Sequence, residues 1–489
     1  MLLGIDVSTT ASKALLLDQH GKVQAMASAP HALSTPNPLW SEQDPEAWWV
    51  ATCSAIGQVL SDPVVTASDI VGVGLTGQMH GLVLLDDNEE VIRPAILWND
   101  QRASAQCEAI RSHVGLDALV RISGNDAFPG FTAPKLLWVR DHEPECFDCI
   151  AHVLLPKDYI RLRLTGAFAT DRAGAGGTLL LDLDKRTWSK TLLEALNLPN
   201  NWFPPTHEGT EITGHITGPA SRATGLPAGV PVIAGGGDQA AQAVGVGAVS
   251  SSTHALTIGT SGVVFASCEK PTTDPKGSMH AFPHAVPGLW HVMGVMLSAA
   301  GSLQWFREKL APDVSFDVLL EEAAQVPIGC DGLTFLPYLS GERTPHADPN
   351  ARGAFIGLTL AHGRGHMIRA VMEGVSFGLL DNQRLLADCG IPKPMSMRVS
   401  GGAIKSPFWG QMLADVLGTT LEPVQTTEGA ALGAAMLAGL GVGIWQSVGE
   451  ATGQIVRTGS PIVADLQTAD RYAGAHERFK TLYPALRDA

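Results

Sequence analysis

One carboxylate stands where a short apolar run gives way to a helical segment. Asp238 follows Gly235, Gly236 and Gly237, and an Ala-rich stretch that favours a helix comes directly after it. Three glycines remove three side chains, so another molecule can approach the backbone closely just before the acid. Asp is also a good helix N-cap, because its side chain accepts hydrogen bonds from the first free N–H groups. From this segment alone, a catalytic acid and a structural cap explain Asp238 equally well.

Two further segments have the form of a strand that runs into a turn of small residues. Residues 4–10 read Gly-Ile-Asp-Val-Ser-Thr-Thr, and residues 258–262, which follow Asp238, read Ile-Gly-Thr-Ser-Gly. Free N–H groups and hydroxyls in such turns are well suited to binding phosphate. An acid beside a glycine gap, together with two phosphate-type turns, predicts phosphoryl transfer.

Composition limits the class of protein. The chain has 489 residues, of which 45% are hydrophobic and 17% charged, as in an ordinary globular protein. This length exceeds what one hydrophobic core usually supports, so we expect two domains of roughly 240 residues. The net charge of −15 argues against nucleic acid or an anionic membrane as the main partner, because either needs a basic face. An acidic protein still binds a nucleotide where Mg²⁺ and backbone N–H groups neutralise the phosphates.

Targeting and redox signals are weak in this sequence. No basic region precedes Asp6, so we expect no signal peptide, and we expect the protein to be cytoplasmic. The longest uncharged stretch, residues 429–445, is too weakly apolar for a membrane span and predicts a buried, closely packed helix. Cys146 and Cys149 have redox or half-zinc spacing, but no second ligand pair is nearby, so we interpret them as structural.

The elements that must position the candidate residues follow from the hydrophobic pattern. Residues 2–7 predict a strand, and residues 13–26 predict a hairpin that turns at Gly21. Residues 70–76 predict a buried strand, and its carboxyl end carries the loop at residues 77–81. Ligands bind at that end of the strands in open α/β sheets. The alternation of strands and helices to about residue 243 predicts an α/β domain with a mixed sheet.

The second half of the chain repeats the opening arrangement. Residues 254–266 predict a strand, a small-residue turn and a strand, and residues 397–403 predict another strand that runs into glycines. Chance and a true internal repeat explain two similar hairpins equally well. We place the domain boundary between Val244 and Val249, where Gly and Ala residues would form a hinge. The predicted domains are then residues 1–245 and 246–489.

Several segments resemble the FGGY family of carbohydrate kinases. One family signature is similar to residues 130–142 and the other to residues 353–373, and the likeness covers nearly the whole chain. Four shorter motifs look most like the bacterial members that phosphorylate D-xylulose; they are residues 40–45, 77–81, 98–102 and 339–345. The resemblance implies an α/β fold of two actin-like, ribonuclease-H-type domains, with ATP, Mg²⁺ and a ketopentose in the cleft between them. It also implies that the repeated hairpin is real.

One position departs from the family pattern. The D-xylulose-specific members usually have Asn after the acid of the glycine stretch, whereas this chain has Gln239. Gln keeps a donor and an acceptor but reaches one methylene further. This departure bears on which sugar is bound and leaves the kinase assignment unaffected.

The resemblance implies a role for each candidate residue. Asp238 is expected to be the base that takes the proton from the attacking sugar hydroxyl. Asp6, with Asp238 near it, is expected to hold Mg²⁺ directly or through water. Residues expected to bind the sugar are Gln78, Met79, His80, Asp238 and Gln239. Residues expected to contact the transferring phosphoryl group or ATP are Thr9, Thr10, Lys13, Gly259, Thr260, Ser261, Gly401, Gly402 and Ala403.

A structural role would also explain some of these residues. A His at a strand end is often structural, and Lys13 is equally explained as a solvated hairpin lysine. Lys135 and Glu373, which lie in the family signatures, are interpreted as structural ion pairs or caps.

Other functions compete with the leading one. The same chemistry on another acceptor would make the protein a kinase of another pentulose, a polyol or glycerol. A non-catalytic actin-like sugar sensor or filament protein belongs to a different class. A repressor should carry a basic helix-turn-helix, which is not found, and a filament former would not need the loop at residues 77–81 or Asp238. A monomer and a homodimer both remain open.

Overall fold

The computed structural model describes residues 1–426 and 428–487 and is built on two large sheets. The strands of the first half are β1 (Leu2–Val7), β2 (Ala11–Leu17), β3 (Val23–Pro30), β4 (Glu42–Gln43), β5 (Gly72–Gly77), β6 (Val83–Leu85), β7 (Ala95–Ile96), β8 (His152–Leu154), β9 (Thr170–Asp171), β10 (Leu181–Asp182), β11 (Thr187–Trp188), β12 (Thr206–His207), β13 (Ile212–His215), β14 (Pro231–Ile233) and β15 (Gly236–Gly237). Its helices are α1 (Pro45–Leu60), α2 (Ser104–Val114), α3 (Leu116–Ser123), α4 (Thr132–His142), α5 (Pro144–Asp148), α6 (Pro156–Thr165), α7 (Arg172–Gly176), α8 (Lys190–Ala195), α9 (Gly218–Thr224) and α10 (Asp238–Val246).

The second half begins after α10. Its strands are β16 (Thr253–Ile258), β17 (Gly262–Cys268), β18 (His280–Pro283), β19 (Trp290–Met296), β20 (Thr334–Leu336), β21 (Ala354–Ile356), β22 (Ser396–Gly401) and β23 (Thr420–Pro423). Its helices are α11 (Ala300–Leu310), α12 (Phe316–Ala324), α13 (Arg364–Asp388), α14 (Pro407–Leu417), α15 (Gly429–Gly441), α16 (Val448–Ile455) and α17 (Leu466–Leu486).

The two large sheets share the order and direction of five strands. In the first, the order is β13-β14-β5-β1-β2-β3, where β1, β2 and β3 are antiparallel neighbours while β5 runs parallel to β1 and β14. In the second, the order is β18-β19-β17-β16-β22-β23, where β16, β17 and β19 are antiparallel neighbours and β22 runs parallel to β16 and β23. The repeat that the family resemblance implies is therefore real, and the first half has the mixed α/β sheet expected of it.

The predicted hairpin of the first half is present. β2 and β3 pair in antiparallel register, and Gly21 in the turn between them has a φ of +83°. Glycine adopts that backbone conformation without the steric cost that a side chain brings. The hairpin is packed on α1, whose first residue is Pro45 and whose N-cap Asp44 accepts a hydrogen bond from the Glu46 N–H.

A helix from the second half of the chain packs against the first sheet. α15 contacts α10, β1 and β5, and most of its residues are buried, as its uncharged sequence predicted. The approach is close: a Cβ on Gly433 would lie 1.8 Å from the Ala241 carbonyl oxygen, and one on Gly4 would lie 2.0 Å from that of Ala431. Only glycine fits at such a distance, so the backbones of the two halves interlock here.

The predicted domain boundary, between Val244 and Val249, spans the end of α10. Val244 and Val246 are helical residues of α10, and Gly247 closes that helix with a φ of +80°. The division into residues 1–245 and 246–489, and the hinge, stay predictions. Among the described residues, no helix combines the length and apolar character needed to cross a membrane.

Candidate functional site

Three neighbouring strands of the first sheet end at one edge. β5 lies between β1 and β15 and runs parallel to both, so that Asp6 and Gly236 both stand beside Thr76. Gln78 and Asp238 each come one residue after the last residue of β5 and β15. Because the carboxyl ends of parallel strands share an edge, the structure brings Asp6, Gln78 and Asp238 together there.

Asp238 is the first residue of α10, and it is not the helix cap. The N-cap is Gly237, and no side-chain capping hydrogen bond is made at this terminus. Burial of the carboxyl group, and next the nearby charge of Asp6, raise the pKa of Asp238 to about 7. The residue as a whole is still partly exposed, as is Gln239, which follows it in the first turn. Asp238 is therefore a desolvated carboxylate in a residue that solvent still reaches, which is typical of a functional group.

Asp6 is the second carboxylate of this edge and is almost fully buried. Desolvation raises the pKa of Asp6 to about 6, with Lys13 opposing the shift and Glu428 adding to it. Its Oδ1 atom is buried and has no hydrogen-bond partner within the described residues. A buried carboxylate oxygen left unpaired is costly unless a cation or a donor approaches it.

These carboxylates fit the requirements of Mg²⁺. Magnesium in phosphoryl-transfer sites is held by one or two carboxylates together with substrate phosphates and water, rather than by an all-protein cage. Asp6 offers an unpaired oxygen, and Asp238 adds a second carboxylate nearby. In the part of the chain that the structure describes, no group of three or more His, Cys, Asp or Glu residues could hold a metal ion by itself. The donor set therefore suits a magnesium ion that arrives with a nucleotide.

Lys13 joins the two halves of the molecule. It stands opposite Asp6 in the β1–β2 register, and its Nζ atom donates to Glu428 Oε2 at 2.6 Å, just before α15 begins. Both side chains are about one-quarter exposed, so Lys13 is not a fully solvated hairpin lysine. An ammonium group has three N–H donors, so two remain for another partner.

The turn after β1 is tied to the loop after β5. The Thr9 hydroxyl accepts from Trp98 Nε1 at 2.9 Å and donates to Gln78 Oε1 at 3.3 Å. Gln78 in turn donates to Gln43 Oε1 at 3.1 Å and is almost fully buried. Thr9 and Gln78 thus position one another, while Thr10 is exposed. Direct contact of these three residues with a substrate stays a prediction.

Met79 and His80 form a wall beside Asp238. A Cβ on Gly237 would lie 2.8 Å from Met79 Cγ, so the glycine before Asp238 makes room for this methionine. His80 has a φ of +69°, hydrogen-bonds through Nδ1 to the Gly177 carbonyl at 2.6 Å, and stacks on Phe131 at 4.5 Å. Burial lowers the pKa of His80 to about 3, so its ring is neutral and leaves Nε2 as an acceptor.

The first family-like signature holds this wall in place. Lys135 is fully buried, and its Nζ atom donates to the carbonyl oxygens of His80, Ile96 and Leu97 at 2.8–3.1 Å. The Thr132 hydroxyl donates to the same His80 carbonyl at 2.9 Å. Lys135 is thus a cap rather than an ion pair. Its counterpart in the second signature, Glu373, pairs with Arg369 and accepts from the Gly329 N–H.

The second sheet presents two glycine turns at its own strand ends. Ile258 stands beside Gly401 in the parallel pairing of β16 and β22, so the Gly259 turn and the Gly402 turn are neighbours. Gly401 has a φ of +111°, and a Cβ there would lie 2.2 Å from the Ile258 carbonyl oxygen. In contrast, a Cβ on Gly402 would meet nothing within 4 Å, and one on Gly259 only the Ser261 oxygen at 4.0 Å.

Exposure divides these turn residues. The exposed residues are Thr260, Ser261, Gly401 and Gly402, whereas Ala403 is buried. The turn also meets the start of α11, because the Ala300 N–H donates to the Gly259 carbonyl and the Ala299 N–H to the Thr260 carbonyl. These N–H groups of α11 are therefore taken up by the turn itself, and the exposed Thr260 and Ser261 are what the turn offers to a phosphate.

Sequence reasoning missed the far side of the wall. Burial is the main cause of the lowered pKa of His80 and of His280, and the charge of Arg343, from the second half, lowers both further. His280, also from the second half, packs edge-on against Phe128. Arg343 lies in the motif at residues 339–345, so its place in a family-like motif was the signal that could have identified it.

A cavity of about 540 Å³ lies between α13, α14 and α17, and none of the predicted site residues lines it.

Comparison with known proteins agrees with this geometry. The description of the N-terminal domain of the FGGY family of carbohydrate kinases matches residues 1–245, and that of the C-terminal domain matches residues 254–442. The xylulose kinase of Escherichia coli strain K12 is 45% identical over 487 residues, which cover 99% of this chain and 99% of that protein.

Solved structures show the same fold over the full length. The crystal structure of xylulose kinase from Rhodospirillum rubrum has a TM-score of 0.93 and 33% sequence identity, covering 100% of this chain and 99% of that one. The crystal structure of gluconate kinase from Lactobacillus acidophilus has a TM-score of 0.95 and 29% identity, covering 99% and 97%. The two actin-like domains expected from the sequence are therefore present.

Proposed function

Because the chain belongs to the FGGY family of carbohydrate kinases, we propose that it transfers the γ-phosphoryl group of ATP to the terminal hydroxyl of D-xylulose, forming D-xylulose 5-phosphate. Membership of the family makes the protein a phosphotransferase. The observation that carries the choice of site is Asp238, a desolvated carboxylate beside Asp6 and next to the wall of Met79 and His80.

Asp238 is proposed to act as the base. Its pKa of about 7 means that roughly half of the carboxylate is ionised at neutral pH, which suits a group that must accept a proton. The sugar O–H bond breaks, the sugar oxygen bonds to the γ-phosphorus, and the bond between that phosphorus and the β-γ bridging oxygen breaks to release ADP. In a loose transition state the base mainly orients the hydroxyl and collects its proton late.

Asp6 is proposed to hold Mg²⁺, directly or through water. When bound, the cation neutralises charge on the phosphates, and it would complete the unpaired Oδ1 atom of Asp6. Thr9, Thr10 and Lys13 are proposed to contact the transferring group. For Lys13 this contact uses donors that the Glu428 ion pair leaves available.

ATP is proposed to lie across the turns of the second sheet. Its phosphates would contact Gly259, Thr260 and Ser261, and the rest of the nucleotide would lie against Gly401, Gly402 and Ala403. The open space at Gly259 and Gly402 supports this position. Since the reaction uses ATP and a small sugar, we place it in the cytoplasm.

A kinase of another acceptor is the second candidate. Gln239 next to the proposed base favours it, because its longer amide would alter the polar contacts to the sugar. The gluconate kinase of Lactobacillus acidophilus has the same fold at 29% identity, so the fold by itself does not select the acceptor.

A coupled assay of ADP release across ketoses, aldoses and polyols tests the proposal. We expect D-xylulose to have the highest kcat/KM of the panel. A higher kcat/KM for glycerol, L-ribulose or another acceptor would replace the substrate but keep the kinase. Absence of sugar-dependent ADP release across the whole panel, in a folded protein that binds ATP, would contradict the function itself.

A further inference from the structure

Gln43 is a buried side chain that contacts both the turn after β1 and the loop after β5. Its Nε2 atom donates to the Thr9 carbonyl oxygen at 2.7 Å, and its Oε1 atom accepts from Gln78 Nε2 at 3.1 Å. The Thr9 hydroxyl donates to Gln78 Oε1 at 3.3 Å, so the three residues form a closed ring of hydrogen bonds. Gln43 is 2% exposed, and its amide group is therefore shielded from bulk solvent.

The orientation of the Gln43 amide follows from its partners. Trp48 Nε1, which is a donor only, lies 2.9 Å from Gln43 Oε1. The carbonyl oxygens of Thr9 and Ala32 are acceptors only, and both accept from Nε2, at 2.7 and 3.2 Å. Exchanging the amide oxygen and nitrogen would place a donor against a donor and acceptors against acceptors. The amide therefore has one stable orientation, in which Nε2 faces Thr9.

The main chain at Gln43 is held from both sides. β4, which ends at Gln43, pairs with β7 in antiparallel register. On the preceding side, the Glu42 carboxylate forms ion pairs with Arg93 and Arg102 at 2.7 Å each. On the following side, Asp44 is the N-cap of α1. Gln43 thus projects from a rigid position onto the turn after β1.

The contact to Thr9 sets the direction of the next N–H group. The peptide bond between Thr9 and Thr10 is trans and planar, so the Thr9 carbonyl and the Thr10 N–H point in opposite directions. The carbonyl is directed at the buried Gln43, so the N–H points away from it, and Thr10 is exposed. In the described ranges this N–H has no hydrogen-bond partner, whereas the Ser8 N–H donates across the turn to the Ala11 carbonyl at 3.0 Å. The turn thus keeps a free donor on its exposed side.

We propose that Gln43 is a positioning residue, which holds the turn at Thr9 and Thr10 so that the Thr10 N–H donates to the transferring phosphoryl group. This inference rests on the proposed function, in which that turn contacts the phosphoryl group. The turn begins two residues after Asp6, at the sheet edge where Asp238 also lies. A backbone N–H that is already oriented stabilises developing charge without any reordering at the moment of reaction.

A double-mutant cycle between Gln43→Met and Thr10→Pro tests the inference. Methionine has nearly the length of glutamine but no N–H donor, so it releases the Thr9 carbonyl. Proline has no backbone N–H, so Thr10→Pro removes the proposed donor itself. Gln383→Met is the matched control, because Gln383 is also buried but donates to Thr419 in the second half. The readouts are kcat/KM for ATP, the KM for the sugar, and the affinities for ATP and ADP by calorimetry.

We expect Gln43→Met to lower kcat/KM for ATP by about 10–10²-fold, the loss of one hydrogen bond to a charged group. In the Thr10→Pro background the same change should cost no more than about threefold, because the donor that Gln43 orients is already absent. ADP lacks the γ-phosphoryl group, so its affinity should change by less than about threefold, as should the KM for the sugar. Gln383→Met should leave all of these values near wild type.

Gln43→Glu is a second variant for the same cycle. Glutamate keeps an acceptor for Trp48 and Gln78 but has no amide N–H, so it breaks the contact to Thr9 with a smaller loss of packing.

Three results would overturn the role of Gln43. Equal losses of kcat/KM for ATP with and without Thr10→Pro would show that the two residues act independently. Equal losses of ATP and ADP affinity, together with a lower melting temperature, would make Gln43 a structural residue. A wild-type kcat/KM for ATP in Thr10→Pro alone would remove the donor from the reaction, whatever the stability of the Gln43 variants.

The ratio of ATP affinity to ADP affinity separates this inference from the proposed function. We expect Gln43→Met to lower that ratio by about tenfold, since only ATP carries the γ-phosphoryl group. If another sugar is the acceptor, the cycle is measured with that sugar. If no sugar is phosphorylated, the proposed function fails, and an unchanged ratio would then overturn the role of Gln43 as well.

Discussion

The strand ends of the first sheet and those of the second sheet are built differently. At the strand ends of the first sheet the side chains are buried and hydrogen-bonded within the protein. Lys135 donates to three carbonyl oxygens, and Gln78 donates to Gln43. Around Gly259 the turn is exposed, and a Cβ there would meet almost nothing. Under the proposed function, this difference means that the sugar would be bound by side chains already held in place and the nucleotide by accessible backbone.

Asp238→Ala should have the largest effect, because it removes the proposed catalytic base at the strand ends of the first sheet. We expect kcat to fall by about 10²–10⁴-fold, the usual contribution of a general base, with the fold and ATP binding retained. In the wild type, kcat/KM should decrease as the pH falls through about 7, where Asp238 takes up its proton. A folded variant with near wild-type kcat would return Asp238 to a purely structural role.

Gly259→Val tests the exposed turn that follows β16 in the second sheet. Two methyl groups above the turn would block close approach of a phosphate, so we expect ATP affinity to fall by about tenfold or more, while sugar affinity holds. The fold should tolerate the change, since the nearest atom to a new Cβ is the Ser261 oxygen at 4.0 Å. Gly363→Val is the matched control, because a Cβ there also has open space. Calorimetry that shows unchanged nucleotide affinity would refute the assignment.

His80→Ala tests the wall on the buried face. We expect kcat/KM for the sugar to fall by about 10-fold, the effect of one hydrogen bond, with little change in the KM for ATP. His80 has a φ of +69°, so His80→Asn is the better-tolerated comparison, because Asn adopts positive φ more readily than Ala. Equal losses for sugar and ATP would indicate that the substitution only disturbs the loop.

Asp238→Asn should stabilise the protein at alkaline pH. The pKa of Asp238 is about 7 in the folded state and 3.8 in the unfolded state. Between these two pH values the carboxyl group is therefore protonated in the folded protein and ionised in the unfolded chain. This group therefore makes stability decrease as the pH rises from about 4 to 7, and the penalty is fully present above 7. We expect melting temperature at pH 8 to rise by about 2–4 °C in the variant, with no gain at pH 4. A lower melting temperature at pH 8 would contradict a desolvated carboxylate.

Gln239→Asn should have the smallest effect. Restoring the shorter amide changes reach by one methylene but keeps a donor and an acceptor, so we expect a shift in sugar preference of about threefold or less. Measuring kcat/KM for D-xylulose and L-ribulose in both proteins gives the ratio. A large switch of substrate would show that this position dominates the choice of sugar.

Much of the framework was predictable from local patterns. The strand that carries Asp6, the hairpin at Gly21 and the buried helix at residues 429–441 follow from apolar runs, turn residues and the absence of charge, which act over a few neighbours. That Asp6 and Asp238 lie at one sheet edge was predictable only through family resemblance, because 232 positions along the chain separate the two residues.

By itself, the sequence determined which residues can do chemistry and where the main strands lie, whereas the similarity of the two halves was implied only by the family resemblance. The tertiary structure alone decided that Gly237 rather than Asp238 caps α10, that Lys13 pairs with Glu428 across the halves, and that Arg343 lies at the wall beside His80. These facts depend on contacts between segments far apart in the chain. Desolvation of a carboxylate is likewise a property of the surrounding packing, so no local pattern encodes it.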